Sequence, residues 1–78
     1  MAKPYWKPRA VAGEVFPDSS GTKFVITFRF VAETEEGQYT RDMTYGNRVE
    51  TGNETLIEDA LADFESELAG DGYELRTP

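Results

Sequence analysis

The side chains in this chain that could do chemistry are nearly all carboxylates. Its 78 residues include 15 Asp and Glu against 8 Lys and Arg, with neither His nor Cys. Without imidazole or thiolate there is no Ser-His-Asp triad, no Cys-His nucleophile pair and no ordinary zinc site. Neither standard spacing of a glycine-rich phosphate loop is present, nor an EF-hand pattern. Paired carboxylates can still serve as general acid and base or hold magnesium. That chemistry needs a concave pocket, and a small sheet carrying one helix offers little depth. The sequence therefore points away from an enzyme, and it implies no cofactor and no metal.

The placement of the acids says more than their number. Glu50, Glu54, Glu58, Asp59, Asp63, Glu65, Glu67, Asp71 and Glu74 follow one another with no Lys or Arg between Arg48 and Arg76. The first dozen residues show the reverse, with Lys3, Lys7 and Arg9 and no acid. At a formal net charge of -7, such a chain repels nucleic acid and acidic membrane and attracts basic protein surfaces. On a helix, Asp59, Asp63 and Glu67 rise about 6 Å per four-residue step, not far from the separation of phosphates along one nucleic-acid strand. A row of that kind can occupy a basic groove that otherwise holds nucleic acid. The plainer reading is a solvated helix face, the usual meaning of a charge run. Like charges four residues apart destabilise a helix, and no lysines offset them here. Glu58, Asp59, Asp63, Glu65 and Glu67 are the expected electrostatic contacts.

Lys3-Pro4-Tyr5-Trp6-Lys7-Pro8-Arg9 interleaves basic and aromatic residues and leaves three readings open. It can stack on single-stranded bases, although the field of the whole chain opposes a polyanion. Tyr5 or Trp6 can fold back to close one end of a small core. Alternatively Tyr5, Trp6 and Arg9 anchor a protein partner, being residue types enriched at binding hot spots; Tyr5 and Trp6, with Tyr45, are the candidate aromatic anchors.

These groups must be positioned by a single domain near the lower size limit for independent folding. Five Phe, four Tyr and one Trp supply its core in place of disulfides. Residues 1–9 are expected to form an extended basic and aromatic arm, and residues 10–78 one α+β domain. A short strand is expected over Val11 to Phe16, with Gly13 marking a bulge or bend, followed by a turn at Pro17-Asp18-Ser19-Ser20-Gly21. The clearest strand runs from Lys23 to Ala32, placing Phe24, Ile26, Phe28 and Phe30 on one face. Thr34-Glu35-Glu36-Gly37 turns the chain, and Gln38 to Tyr45 returns. The register that sets Tyr39, Arg41, Met43 and Tyr45 beside the phenylalanines is favoured, since a one-residue slip would put Thr40, Asp42 and Thr44 over the core.

A polar loop over Gly46 to Gly52 then leads to a helix capped by Thr51, Asn53 or Thr55. Its apolar stripe is Ile57, Ala60, Leu61, Phe64 and Leu68, and Gly70 ends it. Tyr73 to Thr77 closes the sheet as a last strand. The order β-β-β-α-β gives a small antiparallel or mixed sheet with one helix packed across one face. The four apolar residues of the central strand are expected to lie under Ile57, Leu61, Phe64 and Leu68. No stretch approaches the roughly 20 apolar residues of a membrane span, and no signal-peptide pattern opens the chain, so the expected location is the cytoplasm.

The segment Asn53-Glu54-Thr55-Leu56-Ile57-Glu58-Asp59-Ala60-Leu61, followed by Asp71-Gly72-Tyr73-Glu74-Leu75-Arg76, resembles a layout met in very small phage proteins. In these a hairpin leads into an acidic helix, and a strand of the form Gly-aromatic-Glu-aliphatic closes the sheet. The small phage-encoded inhibitor of bacterial RNA polymerase is similar in this respect, as are some small anti-CRISPR proteins. The resemblance implies a phage or mobile-element origin and a place in the host cytoplasm. With the charge pattern, the expected function is a non-enzymatic, acidic protein-binding module. It would inhibit a host nucleic-acid enzyme or defence complex by docking its helix on a basic surface, with no direct nucleic acid or membrane contact. The alternative is a small phage structural or assembly protein that self-associates through open strand edges.

Overall fold

Alternation of apolar residues from Phe24 to Phe30 makes one strand the axis of the structure. The computed structural model describes residues 2–49 and 51–76, so the readings that fall on Met1, Glu50 and Thr77 lie outside the described residues. The elements are β1 (Lys3–Pro17), β2 (Phe24–Thr34), β3 (Gly37–Arg48), α1 (Leu56–Gly70) and β4 (Tyr73–Leu75). The sheet order is β3-β2-β1-β4, with β4 parallel to β1 and the other pairs antiparallel. The fold is α+β, in the expected order and with a mixed sheet.

The β2–β3 hairpin takes the register the hydrophobic pattern favours, with Tyr39, Arg41, Met43 and Tyr45 opposite Ala32, Phe30, Phe28 and Ile26. Its turn is tied by the Thr34 hydroxyl, which donates to the Gly37 carbonyl at 2.6 Å and accepts from the Glu36 N–H at 3.1 Å. Gly37 adopts φ 119°, a conformation glycine reaches without steric cost. β3 then runs on to Arg48, beyond the expected end at Tyr45. An irregularity absorbs one extra residue there, with Asn47 at φ 56°.

The first strand differs most from expectation. The arm and the short strand are one continuous β1, paired to β2 along its length and to β4 at Lys3–Tyr5. Proline is accommodated because the pairing is bulged between Trp6 and Arg9, where Lys7 takes φ 49° and Pro8 follows. A second irregularity falls between Ala10 and Ala12, whereas Gly13 pairs in register with Phe28. The bend therefore sits beside Gly13, not at it.

The core consists of Tyr5, Phe30, Ala32, Ala60, Phe64 and Leu68. Phe30 and Phe64 stack at 5.5 Å between ring centroids, and Phe28, Tyr39, Met43, Tyr45, Leu61 and Tyr73 pack around them. The helix meets the sheet along Leu56, Ala60, Phe64 and Leu68. A row at four-residue spacing slants across a helix and so follows the twist of the sheet beneath it. At the helix N-terminus the buried direction is that of Leu56. Ile57, about 100° away, is 46% exposed, although it lies within the average apolar stripe. Phe24 and Ile26 also stand outside the core cluster and are half-buried. The expected packing of strand on helix holds for Phe28 and Phe30 with Leu61, Phe64 and Leu68, and it fails for Phe24, Ile26 and Ile57.

Phe64→Ala should cost about 3–5 kcal/mol, typical for a large buried aromatic, which is comparable to the whole stability of so small a domain. Ile57→Ala should change stability by no more than about 0.5 kcal/mol. Thermal melts followed by circular dichroism should show the first variant largely unfolded at room temperature and the second melting beside the parent.

Candidate protein-docking surfaces

Each helix row at four-residue spacing meets a different environment. Asp59, Asp63, Glu67 and Asp71 form the row one residue ahead of the buried one, and the slant carries it against β3. The Tyr45 hydroxyl donates to Asp63 Oδ2 at 2.6 Å. Arg41 places Nη1 3.2 Å from Glu67 Oε2 and Nη2 3.5 Å from Asp71 Oδ2. It also donates to the Tyr39 hydroxyl, which in turn donates to Asp71. These contacts descend β3 as they climb α1, so the helix runs antiparallel to that strand with its acids closing the seam. On the other flank the Tyr5 hydroxyl donates to Glu65 Oε2 at 3.4 Å.

The seam sets the titration of the tyrosines. Burial, then the hydrogen bond to the Asp63 carboxylate, raises the Tyr45 hydroxyl far above the ordinary tyrosine value. Burial also leads for Tyr39 and Tyr5, reinforced by Asp71 and Glu65 respectively, with Arg41 opposing the rise at Tyr39. On the other face of the sheet Arg29 Nε lies 2.9 Å from Asp42 Oδ1 and lowers that carboxyl.

The expected contact residues are therefore divided. Asp63, Glu65 and Glu67 make contacts to the sheet, so the row with phosphate-like spacing runs along the β3 seam, with Asp59 and Asp63 exposed and Glu67 half-buried. Glu58 and Asp59 are exposed, as is Glu54 just before the helix. None of the three takes part in an ion pair among the described residues. The row facing away from the sheet is Glu58, Ala62, Ser66 and Gly70, acidic only at its start.

The three aromatic candidates do not converge. Tyr5 is 3% exposed and belongs to the core, which leaves it closed to a partner and confirms the fold-back reading of that residue. Tyr45 is half-buried in the seam. Trp6 pairs with Glu33 on the opposite face of the sheet, beside a hollow lined by Lys7, Glu33 and Thr34.

A second surface lies along β1, at one of the open strand edges of the sheet. β4 covers the outer edge of β1 only at Lys3–Tyr5, where the Arg76 N–H also donates to the Tyr5 carbonyl at 2.8 Å. Among the described residues no strand pairs with that edge from Trp6 to Pro17, and Val11, Val15 and Phe16 are exposed. Val15, Phe24, Ile26, Val49 and Asn53 line an open apolar hollow of about 240 Å³ at this end. The sequence signal was present in the apolar residues of Val11 to Phe16, but nothing in it said that the helix would leave them uncovered.

Among the described residues no group of three or more Asp or Glu is placed to hold a metal ion, and no helix is long and apolar enough to cross a membrane. No family model, curated protein or solved structure matches the chain.

The tyrosine shifts carry a pH dependence. A folded pKa raised above the unfolded value, here 10.0, gives stability that is fully present below the unfolded value and lost as pH rises through the folded one. Melting temperature should hold up to about pH 10 and decline above it. Tyr45→Phe, which removes the largest shift, should flatten that decline in melts followed by circular dichroism.

Proposed function

We propose that this chain is a non-enzymatic protein-binding module that docks the acidic N-terminal part of α1 on a basic protein surface. The observation that carries the reading is the group Glu54, Glu58 and Asp59, exposed together and outside every ion pair among the described residues. The carboxylates of the β3 seam stand behind it and add to the same negative field. Charge of one sign gathered on one flank speeds the encounter with a basic partner and makes it sensitive to salt. A basic groove that ordinarily holds nucleic acid fits such a flank, so the target class is a nucleic-acid enzyme or defence complex, with inhibition by occupancy as the consequence. The lack of His and Cys supports a binding role over catalysis, and the overall field disfavours nucleic acid as the partner.

Capture from a bacterial lysate should compare the parent with Glu58→Lys/Asp59→Lys and with a charge-matched control, Glu14→Lys/Glu35→Lys. The first variant should lose the captured protein by about tenfold or more, a change of roughly 1.4 kcal/mol, and the control should keep it. A nucleic-acid oligonucleotide should displace the parent. Equal retention by both variants, with folding verified by circular dichroism, would sink the reading.

A further inference from the structure

We infer that the apolar hollow at the end of β1 belongs to the helix docking site, and that it receives one large apolar side chain from a basic segment of the partner protein. Such an occupant presupposes the helix docking proposed above and specifies what the partner must carry.

Strand pairing brings the hollow and the acids to one end of the molecule. Val15 lies opposite Ile26 in β2, and Ile26 lies opposite Tyr45 in β3. The Tyr45 hydroxyl donates to Asp63, so the N-terminal half of α1, antiparallel to β3, lies at this end of the sheet. The loop between β3 and α1 completes the hollow with Val49 and Asn53, tied together where the Asn53 side chain donates to the Val49 carbonyl. Glu54 follows Asn53 directly, and Glu58 and Asp59 stand in the first turn of the helix.

The hollow has room for one side chain, and its walls select an apolar one. Its volume is about 240 Å³, whereas an apolar cavity of about 150 Å³ is enough to take benzene. Val15, Phe24, Ile26 and Val49 line it, with Val15 61% and Val49 49% exposed. A leucine or phenylalanine inserted there leaves water and shields both valines as it does so. An apolar anchor held in a pocket beside charged groups is the usual form of a binding hot spot.

Charge decides what kind of molecule carries that anchor. Among the described residues the cations at this end are Lys23, in the β1–β2 turn, and Arg48, laid over the Tyr45 ring at 5.6 Å. They are too few to balance Glu14, Glu54, Glu58 and Asp59, all exposed. Nucleic acid and acidic membrane are repelled, as is a second copy, which would bring the same carboxylates to the contact. A protein segment bearing Lys or Arg is attracted. In an extended segment, residues two apart share a face at about 6.6 Å. A cation two positions from the anchor therefore comes within reach of Glu54, the neighbour of Asn53.

The test is titration of the isotope-labelled full chain with the end-capped peptide Arg-Ser-Leu-Ser-Arg, followed by chemical shifts. One control peptide has Ser in place of Leu, and another has Glu in place of each Arg. The Leu peptide should move the methyl signals of Val15, Ile26 and Val49. It should bind about tenfold more tightly than the Ser peptide, the least expected from taking one leucine side chain out of water. The Glu peptide should not bind. Val15→Ser/Val49→Ser should bring the Leu peptide down to the affinity of the Ser peptide; if that variant unfolds, the methyl shifts of the parent decide. Glu54→Gln/Glu58→Gln should weaken both Arg-bearing peptides alike. Equal affinity for the Leu and Ser peptides, or shifts confined to Glu54, Glu58 and Asp59, overturns the proposal and leaves the helix docking standing. Failure of either Arg-bearing peptide to bind, or indifference of both to Glu54→Gln/Glu58→Gln, overturns the two together. Shifts of Val15 and Val49 that follow protein concentration before any peptide is added identify a second copy as the occupant, and these too overturn the proposal.

Discussion

A helix and a strand with the same number of residues do not have the same length, and this mismatch shapes the whole molecule. α1 and β1 each contain 15 residues. At 1.5 Å per residue the helix spans about 22 Å, while at about 3.3 Å per residue the strand reaches about 50 Å. One helix cannot roof such a sheet. The core gathers where the helix lies, around Phe30 and Phe64, and the far end of β1 is left with apolar side chains in solvent. The elongated shape, 46 × 19 × 19 Å, follows from the same arithmetic.

Placing an acid-rich helix on the sheet creates a second constraint, because adjacent carboxylates repel. β3 answers it with hydroxyls and one guanidinium where the seam falls. Tyr45, Arg41 and Tyr39 alternate with Met43 along the face that receives α1, so one strand contributes both apolar packing and donors. Each tyrosine ring packs against the core while its hydroxyl reaches a carboxylate, a division of labour suited to an amphipathic aromatic side chain. The Arg41 guanidinium lies 5.4 Å from the centre of the Tyr39 ring, within reach of a cation–π contribution.

Much of this fold was legible in the sequence, and the failures share a cause. The period-two alternation of Phe24 to Phe30 fixed both the strand and the hairpin register, because a slip would have buried Asp42. Gly70 and Asp71-Gly72 marked the helix end correctly, with Gly72 at φ 90°. Periodicity is a local signal, however, and the errors arose where a distant element decided the outcome. Ile57 fits the averaged stripe, but the twist of the sheet selected Leu56. The segment around Pro4 and Pro8 reads as an extended arm, and its joining to the sheet depends on a bulge between Trp6 and Arg9 that accommodates Pro8 and on a partner, β4, from the far end of the chain. For the site, sequence located the acids correctly. The direction of each helix row depends on which side of the buried row β3 lies, and that is set only when the sheet forms.

The open β1 edge and the net charge belong together. A long, apolar, unpaired edge invites unlimited strand addition, which ends in aggregation unless something stops it. Three features do so here. β4 caps the first residues of the edge, the irregular and charged β3 closes the opposite side, and the net charge of -7 opposes any approach that brings helices near one another. The charge that appears excessive for an 8.8 kDa fold thus helps keep the uncovered edge from polymerising.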